Sequence, residues 1–277
     1  MSSSSATPAV VSTTLEFREV VKDYRLRNGL RSTRLRAVDH VSFELKPGRT
    51  IALVGQSGSG KSTIAKMLMQ LERPTSGSIL VDGEPMRYHG ARAAAYRKAV
   101  QMVFQDPFGS LNPYHTIAHH LARPVKLHHP GFTREQVDGR VLELLRRVRL
   151  DEDFAGRKPH ELSGGQRQRV AIARALAPEP AILVADEPVS MLDVSIRLGV
   201  LNLLAALQRE ENLGVLYITH DLATARHFSD EIMVLYRGAV VERGPADDVI
   251  LNPQHEYTQL LAEAAPAPER RLAELGP

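Results

Sequence analysis

A glycine-rich segment in the first quarter of the chain has the residue types and spacing of a phosphate-binding loop. It fits the pattern G-x-x-x-x-G-K-[ST], with fixed positions at Gly55, Gly60, Lys61 and Ser62. Glycines let successive backbone N–H groups turn toward an anion, and a helix that begins there adds its positive end. The ammonium suits β- and γ-phosphates, and the hydroxyl suits Mg²⁺. We assign nucleotide binding to Gly55, Gln56, Ser57, Gly58, Ser59, Gly60, Lys61, Ser62 and Thr63.

Two adjacent carboxylates follow an apolar run at 181–185. Asp186 would end a buried strand and hold Mg²⁺, through water, while Glu187 would act as the general base on an attacking water. General-base catalysis typically contributes about 10²–10⁴-fold in rate. A plain strand-to-loop transition is the alternative, but the phosphate loop favours the catalytic interpretation. The two motifs together predict a P-loop nucleoside triphosphatase that uses Mg²⁺.

The elements that must position these residues alternate along the second half of the chain. Short apolar runs, typical of buried strands, are separated by patterns of helical period, which predicts an α/β fold with a mainly parallel sheet covered on both faces. The segment from 107 to about 178 is predicted to be mainly helical and to be an insertion between two parts of one α/β domain. Strands are predicted at 15–24, 41–45, 50–55, 76–83, 181–186, 214–220 and 231–236, and helices at 61–72, 132–148, 194–212, 222–228 and 247–252. An arginine-rich segment around Asn28-Gly29 reads as a solvated hairpin, with phosphate or headgroup binding as the alternative.

Composition narrows the class of protein. The chain has 277 residues and a formal net charge of +3, and a charge this small does not by itself indicate binding of nucleic acid. It has no cysteine, which excludes disulfides, thiolate nucleophiles and iron–sulfur clusters. No apolar run approaches the roughly 18 residues that a membrane helix needs, and the first residues do not resemble a secretory signal. These observations predict a cytosolic protein.

The pairs His119-His120 and His128-His129 lack a flanking acidic cluster, so we expect surface residues there rather than a metal site.

A second candidate phosphate-binding surface lies at Leu162-Ser163-Gly164-Gly165-Gln166. A serine and two glycines at a helix start offer a hydroxyl, free N–H groups and a positive dipole end, although an ordinary N-cap is the alternative. The segment resembles the LSGGQ signature of the ATP-binding subunits of ABC transporters. In that family the signature of one subunit closes over ATP held by the phosphate loop of its partner. The resemblance therefore implies that Ser163, Gly164, Gly165 and Gln166 bind nucleotide across a dimer.

The resemblance extends over about residues 15–265 and implies further roles. Tyr24 matches the family's adenine-stacking aromatic, with a strand-end tyrosine as the alternative, and Asp193 matches a residue of the loop after the base. Gln105 matches the glutamine that touches Mg²⁺ and the attacking water. His220 matches the histidine that contacts the γ-phosphate, so the implied catalytic residues are Glu187, His220 and Gln105. Met191 departs from the usual alanine where two subunits would abut; it either alters communication between the sites or fills a gap harmlessly.

Two further stretches, 104–113 (FQDPFGSLNP) and 252–266 (NPQHEYTQLLAEAAP), resemble the ATPases of dipeptide, oligopeptide and nickel importers. This resemblance implies an ATPase on the cytoplasmic face of the inner membrane that drives uptake of peptides or similar solutes. It also implies two transmembrane permease subunits, a second ATPase subunit and, indirectly, an extracytoplasmic solute-binding protein, with no nucleic acid. The alternative is the ATPase of a soluble phosphonate-degrading complex.

The family's fold implies a RecA-like P-loop core with an N-terminal antiparallel β part and an inserted α-helical signature subdomain. The first residues are rich in Ser, Thr, Ala and Pro and predict a disordered tail. After it we expect a two-part nucleotide-binding core, a helical subdomain and a C-terminal extension. The expected boundaries are 1–13 for the tail, 14–106 and 178–251 for the core, 107–177 for the helical subdomain and 252–277 for the extension.

Overall fold

A computed structural model of the chain describes residues 13–28 and 31–264. The tail predicted at 1–13 lies outside the described residues except for Thr13, which is buried, and so do Gly29 of the expected turn and residues 265–277. The strands, in chain order, are β1 (Leu15–Asn28), β2 (Arg31–Leu45), β3 (Thr50–Val54), β4 (Ser76–Val81), β5 (Glu84–Pro85), β6 (Val100–Val103), β7 (Ile182–Asp186), β8 (Gly214–Thr219), β9 (Glu231–Tyr236) and β10 (Ala239–Pro245).

The helices connect these strands and cover both faces of the larger sheet. In chain order they are α1 (Lys61–Leu68), α2 (Gly90–Ala99), α3 (Pro107–Ser110), α4 (Ile117–His128), α5 (Arg134–Arg147), α6 (Gly164–Leu176), α7 (Val194–Glu210), α8 (Leu222–Phe228), α9 (Ala246–Leu251) and α10 (Glu256–Ala264). Two short 3₁₀ turns lie at Glu152–Gly156 and Pro159–Glu161. Among the described residues, no helix is both long and apolar enough to cross a bilayer.

The strands form two sheets. One is antiparallel with the order β2-β1-β4-β5, and the other has the order β10-β9-β3-β8-β7-β6. In the larger sheet every neighbouring pair is parallel except β9 and β10. The structure thus confirms the predicted α/β fold with a mainly parallel sheet and an N-terminal antiparallel part.

Strand β3 separates two hydrophobic cores because its side chains alternate between the faces of the sheet. Ile51 and Leu53 pack with the antiparallel sheet and α1, where Phe17 and Phe43 stack with ring centroids 4.5 Å apart. Ala52 faces the opposite core, which continues into helices α4 to α7. The loop between β3 and α1 is therefore anchored by packing on both sides of the sheet.

Between residues 107 and 177 the structure contains helices and turns but no strand. The apolar face predicted for the second long helix of this segment is confirmed, since its members are all buried: Val137, Val141, Leu144, Leu145 and Val148. The boundaries of this segment as a separate subdomain stay a prediction. Five of the described strands and helices were not predicted from the sequence, namely β5, α2, β6, β10 and α10.

Candidate active site

The carboxyl ends of four neighbouring strands, β3, β8, β7 and β6, meet at one edge of the larger sheet. Ligands of parallel α/β sheets bind at this edge. The phosphate loop follows β3, and His220 follows β8. Asp186 is the last residue of β7, Glu187 comes directly after it, and Gln105 comes two residues after β6. They surround a cleft of about 690 Å³ that is lined by Tyr24, Leu35, Ala37, Gln56, Ser57, Gly58, Gly60, Lys61, Ser62, Thr63, Gln105, Asp186, Glu187 and His220.

The phosphate loop needs glycine where its backbone turns. Gly58 and Gly60 have φ of +79° and +114°, a region that side chains with a Cβ rarely adopt. A Cβ on Gly60 would also lie 2.3 Å from the carbonyl oxygen of Ala37 on β2. Of the nine predicted loop residues, Gly55 and Ser59 do not line the cleft and are buried beneath it. The remaining seven line it at the N-terminus of α1, where the first N–H groups of a helix have no intrahelical acceptor.

Lys61 is held inside the loop by the loop's own backbone. Its ammonium donates hydrogen bonds to the carbonyl oxygens of Gly55 and Gln56, the second at 2.9 Å, and the residue is 7% exposed. Burial lowers the pKa of Lys61, and the nearby charges of Glu187 and Asp186 oppose that shift. The positive charge is thus kept at the loop by two carbonyl groups and two carboxylates.

The acidic pair lies opposite the loop. Burial raises the pKa of Asp186, the charge of Glu187 raises it further, and Lys61 opposes both. Glu187 has a φ of +44°, and its N–H donates to the carbonyl oxygen of Ile218 on β8 at 2.8 Å. This backbone hydrogen bond fixes the point at which the chain leaves β7, so that both carboxylates stay in the cleft.

Both carboxylate oxygens of Glu187 are held by side chains from other strands. The amide nitrogen of Gln105 donates to Oε2 at 3.0 Å and also to Oγ of Ser190 at 3.2 Å. Nδ1 of His220 lies 3.1 Å from Oε1. A carboxylate oriented on both oxygens and 18% exposed can take a proton from a water molecule in one defined direction.

Tyr24 enters the cleft from the antiparallel sheet. It pairs across the β1–β2 hairpin with Leu35, and both line the cleft. Its hydroxyl donates a hydrogen bond to Oε2 of Glu72. The same oxygen forms an ion pair with Nζ of Lys22 at 3.0 Å. Burial raises the pKa of Tyr24, and the hydrogen bond to Glu72 adds to that shift. The tyrosine ring is therefore anchored at its tip, and the ammonium of Lys22 lies over the ring, 5.2 Å from its centroid.

The signature residues lie outside this cleft. Ser163 caps α6 in a reciprocal capping box: its Oγ accepts from the N–H of Gln166 at 3.3 Å, and its own N–H donates to Oε1 of Gln166 at 2.9 Å. A Cβ on Gly165 would lie 2.4 Å from Cγ2 of Ile196, so glycine permits close packing of α6 on α7. Five predicted nucleotide contacts are not brought to the cleft of this chain: Ser163, Gly164, Gly165, Gln166 and Asp193.

The histidines outside the cleft include one compact group. His115 stacks on His119 with centroids 4.0 Å apart, and His120 packs edge-on to both. In the part of the chain that the structure describes, no three histidine, aspartate or glutamate residues form a group that could hold a metal ion. Of the paired histidines, His119 is exposed, and His120, His128 and His129 are half-buried, with Nε2 of His129 enclosed.

The fold and the cleft define a P-loop nucleoside triphosphatase. The sequence model described as ABC transporter matches residues 38–190, which is more than half of the chain. The chain belongs to the ABC transporter family and is an ATP-hydrolysing cassette of that family.

Two curated relatives match over most of their length. An oligopeptide transport ATP-binding protein, AppF of Bacillus subtilis, is 46% identical over 270 residues, covering 96% of this chain and 82% of the relative. A di/tripeptide transport ATP-binding protein, DppF of Pseudomonas aeruginosa, is 44% identical, with 92% and 80% coverage.

Among solved structures, a dimeric ATP-binding cassette in a post-hydrolysis state, bound to ADP and phosphate, matches with a TM-score of 0.72 and 33% identity over 84% of this chain and 98% of that one. The cbiO1 protein of Clostridium perfringens, part of an ABC transporter complex, matches with a TM-score of 0.76 and 26% identity, with 94% and 97% coverage. The resemblance drawn from the sequence is therefore confirmed at the level of the family.

Several residues of the site were not identified from the sequence. The pairing of β1 with β2, expected from the hairpin, would have placed Leu35 opposite Tyr24. No local signal marks Glu72, which reaches Tyr24 across 48 positions. Ser190 was given no role, yet its Oγ accepts a hydrogen bond from the amide of Gln105.

Proposed function

We propose that the chain is the ATPase subunit of an importer that takes up peptides or similar small solutes. The observation that carries this proposal is the identity of 44–46% over more than nine-tenths of the chain to proteins named for oligopeptide and di/tripeptide transport. Two stretches, 104–113 and 252–266, also indicate this subfamily, and the second lies outside the shared catalytic motifs. The alternative, a soluble phosphonate-degrading complex, is not favoured by the names of these relatives.

Within the cleft, we assign each side chain a part in the hydrolysis of ATP. The loop N–H groups and the ammonium of Lys61 bind the phosphates, and the ring of Tyr24 stacks on adenine. Glu187 accepts a proton from the attacking water, with its carboxylate oriented by Gln105 and His220. His220 also reaches the γ-phosphate from the end of β8.

The donor set of the cleft suits Mg²⁺. The hydroxyl of Ser62, the carboxylate of Asp186 and the amide oxygen of Gln105 line one space, and Mg²⁺ is bound by one or two carboxylates together with phosphate oxygens and water. When bound, the ion would neutralise charge on the β- and γ-phosphates. The raised pKa of Asp186 fits a carboxyl that is buried to receive a cation.

The proposed functional unit is a dimer of ATPase subunits, formed by two copies of this chain or with a related one. The signature residues do not reach the cleft of their own chain, and one of the similar solved structures is a dimeric cassette. In such a dimer Ser163, Gly164, Gly165 and Gln166 would face ATP held by the partner's loop. Asp193 precedes α7 and Met191 is 55% exposed, so both are available to an opposing subunit.

The remaining partners follow from the proposed transporter. Two transmembrane permease subunits would receive the motion of the Gln105 loop, where Phe104 is 49% exposed, and an extracytoplasmic binding protein would act through them. The subunit would lie peripherally on the cytoplasmic face of the inner membrane.

The test is to purify the tagged chain from its own cells in mild detergent and to identify every associated protein by mass spectrometry. Two multispanning membrane proteins are expected, and soluble enzymes without them would contradict the proposal. Uptake of labelled di- and tripeptides would then be compared in cells carrying the Glu187→Gln chain and in cells carrying Glu210→Gln, which changes an exposed glutamate of α7. Uptake should be lost only in the first; equal uptake in both would contradict the coupling of hydrolysis to transport.

A further inference from the structure

The C-terminal extension returns to the phosphate loop through one side chain. Tyr257, in the first turn of α10, is 8% exposed, and its hydroxyl oxygen accepts a hydrogen bond from the backbone N–H of Gln56 at 2.9 Å. Gln56 is the second residue of the loop and lies 201 positions earlier in the chain. The extension therefore contacts the element that binds phosphate.

The ring of Tyr257 has a fixed position. It stacks on the ring of Tyr236, the last residue of β9, with centroids 4.2 Å apart and an interplanar angle of 30°. Strand β9 pairs directly with β3, which leads into the loop. A ring stacked on the sheet that carries the loop holds its hydroxyl at a constant distance from that loop.

The turn before α10 is anchored to the same sheet. The carboxylate of Glu242 on β10 accepts hydrogen bonds from the N–H groups of Gln254 and His255, at 2.9 and 3.0 Å. Nδ1 of His255 in turn accepts from the N–H of Tyr257 at 3.1 Å. We call the stretch 252–258 the clasp. Glu242 on β10 binds its backbone, and its Tyr257 contacts the phosphate loop.

The peptide group between Gly55 and Gln56 is held from both ends. Its N–H donates to Tyr257, and its carbonyl oxygen, that of Gly55, accepts from the ammonium of Lys61. A rotation of this peptide would move the acceptor that directs Lys61. The hydroxyl of Tyr257 therefore limits the freedom of the loop before any nucleotide arrives, and such preorganisation raises affinity.

We propose that Tyr257 is a positioning residue that sets the affinity for ATP by holding the Gly55–Gln56 peptide and, through it, Lys61. The inference rests on the proposed role of the phosphate loop in binding ATP, and it is independent of the transported solute. The C-terminal extension, which is typical of the subfamily, then also contributes to the binding of nucleotide.

The decisive variant is Tyr257→Phe, which removes the hydroxyl and keeps the stacked ring. Its matched control is Tyr236→Phe, which removes a hydroxyl from the other ring of the pair. We expect KM for ATP and the dissociation constant of a fluorescent ATP analogue to rise about 3- to 10-fold in Tyr257→Phe, as for the loss of one hydrogen bond, with kcat within about twofold of the unchanged chain. The control should match the unchanged chain.

Hydrogen exchange without nucleotide gives a second, independent measurement. The amide of Gln56 should exchange faster in Tyr257→Phe than in Tyr236→Phe, because only the first loses the acceptor of that amide. Unchanged ATP affinity in Tyr257→Phe, or equal effects of the two variants, would overturn the inference. If the unchanged chain itself failed to bind ATP, the proposed role of the loop would be wrong instead.

Discussion

Nδ1 of His220 lies 3.1 Å from Oε1 of Glu187, and the two residues follow adjacent parallel strands. The opposite oxygen of the same carboxylate accepts from Gln105, which follows β6, the neighbour of β7 on its other side. Three strand ends thus orient one side chain, and the sheet itself provides the geometry of the proposed general base.

Replacing Glu187 by glutamine should separate ATP binding from hydrolysis. The amide keeps the size of the side chain but cannot accept a proton from water, so we expect turnover to fall at least about a hundredfold. ATP should still bind, because the loop is unchanged. Steady-state phosphate release and equilibrium ATP binding measure the two quantities. Glu210→Gln is the control, and near-normal hydrolysis by Glu187→Gln would refute the role given to this residue.

Replacing Ser163 by alanine should test the composite site. Ser163 and Thr133 cap α6 and α5 with the same reciprocal box, so Thr133→Ala is a matched control for the lost cap. Each variant should lose about 0.5–2 kcal/mol of unfolding free energy.

Only Ser163→Ala should also lower ATP hydrolysis and ATP-dependent dimerisation, as measured by phosphate release and by light scattering. ATP affinity of the single subunit should stay unchanged, since Ser163 does not line its cleft. Equal losses of hydrolysis in both variants would mean that Ser163 acts only as a helix cap.

Removing the ring of Tyr24 should weaken nucleotide binding. Stacking of a base on an aromatic side chain contributes about 1–3 kcal/mol, so Tyr24→Ala should raise the dissociation constant of ATP about 5- to 150-fold. Tyr24→Phe keeps the ring and loses the hydrogen bond to Glu72, so its effect should be smaller. Tyr114→Ala, at a residue 84% exposed and outside the cleft, is the control in the same titration. Wild-type affinity in Tyr24→Ala would exclude stacking.

The parts of the site that could be predicted from the sequence are local. The phosphate loop and the acidic pair each lie within a few residues of an apolar strand, and the rule that parallel strands end at one edge brings them together. Tyr24 and Glu72 are 48 positions apart, and Gln56 and Tyr257 are 201 apart. No spacing in the sequence specifies contacts that depend on how the antiparallel sheet and the C-terminal extension pack on the core.

The missed elements have weak patterns for physical reasons. Strand β6 has four residues, and the alanine-rich helix α2 before it has little amphipathic contrast. Strand β10 lies at the edge of its sheet and is mostly half-exposed, so it lacks the apolar run of a central strand. Strands β6 and β10 form the two edges of the larger sheet, and none of their residues lines the cleft.

Acidification should release the clasp at Glu242. Burial favours the neutral carboxyl, but the hydrogen bonds from the turn outweigh burial and lower the pKa of Glu242 below its ordinary value of 4.5. A carboxyl whose pKa is lower in the folded chain stabilises that chain fully above its unfolded pKa, and this contribution is lost as the pH falls through the folded pKa.

At neutral pH, Glu242→Gln should therefore lower the unfolding free energy by about 1–2 kcal/mol, because one N–H of the turn would bond to a neutral amide oxygen and the other would lose its acceptor. The difference between the two chains should shrink as the pH falls below 4.5, since the unchanged chain then loses the same charge. Denaturant unfolding over a series of pH values measures it, with Glu263→Gln, at an exposed position of α10, as the control. A difference that stays constant with pH would mean that Glu242 contributes by packing and that its charge is not what holds the turn.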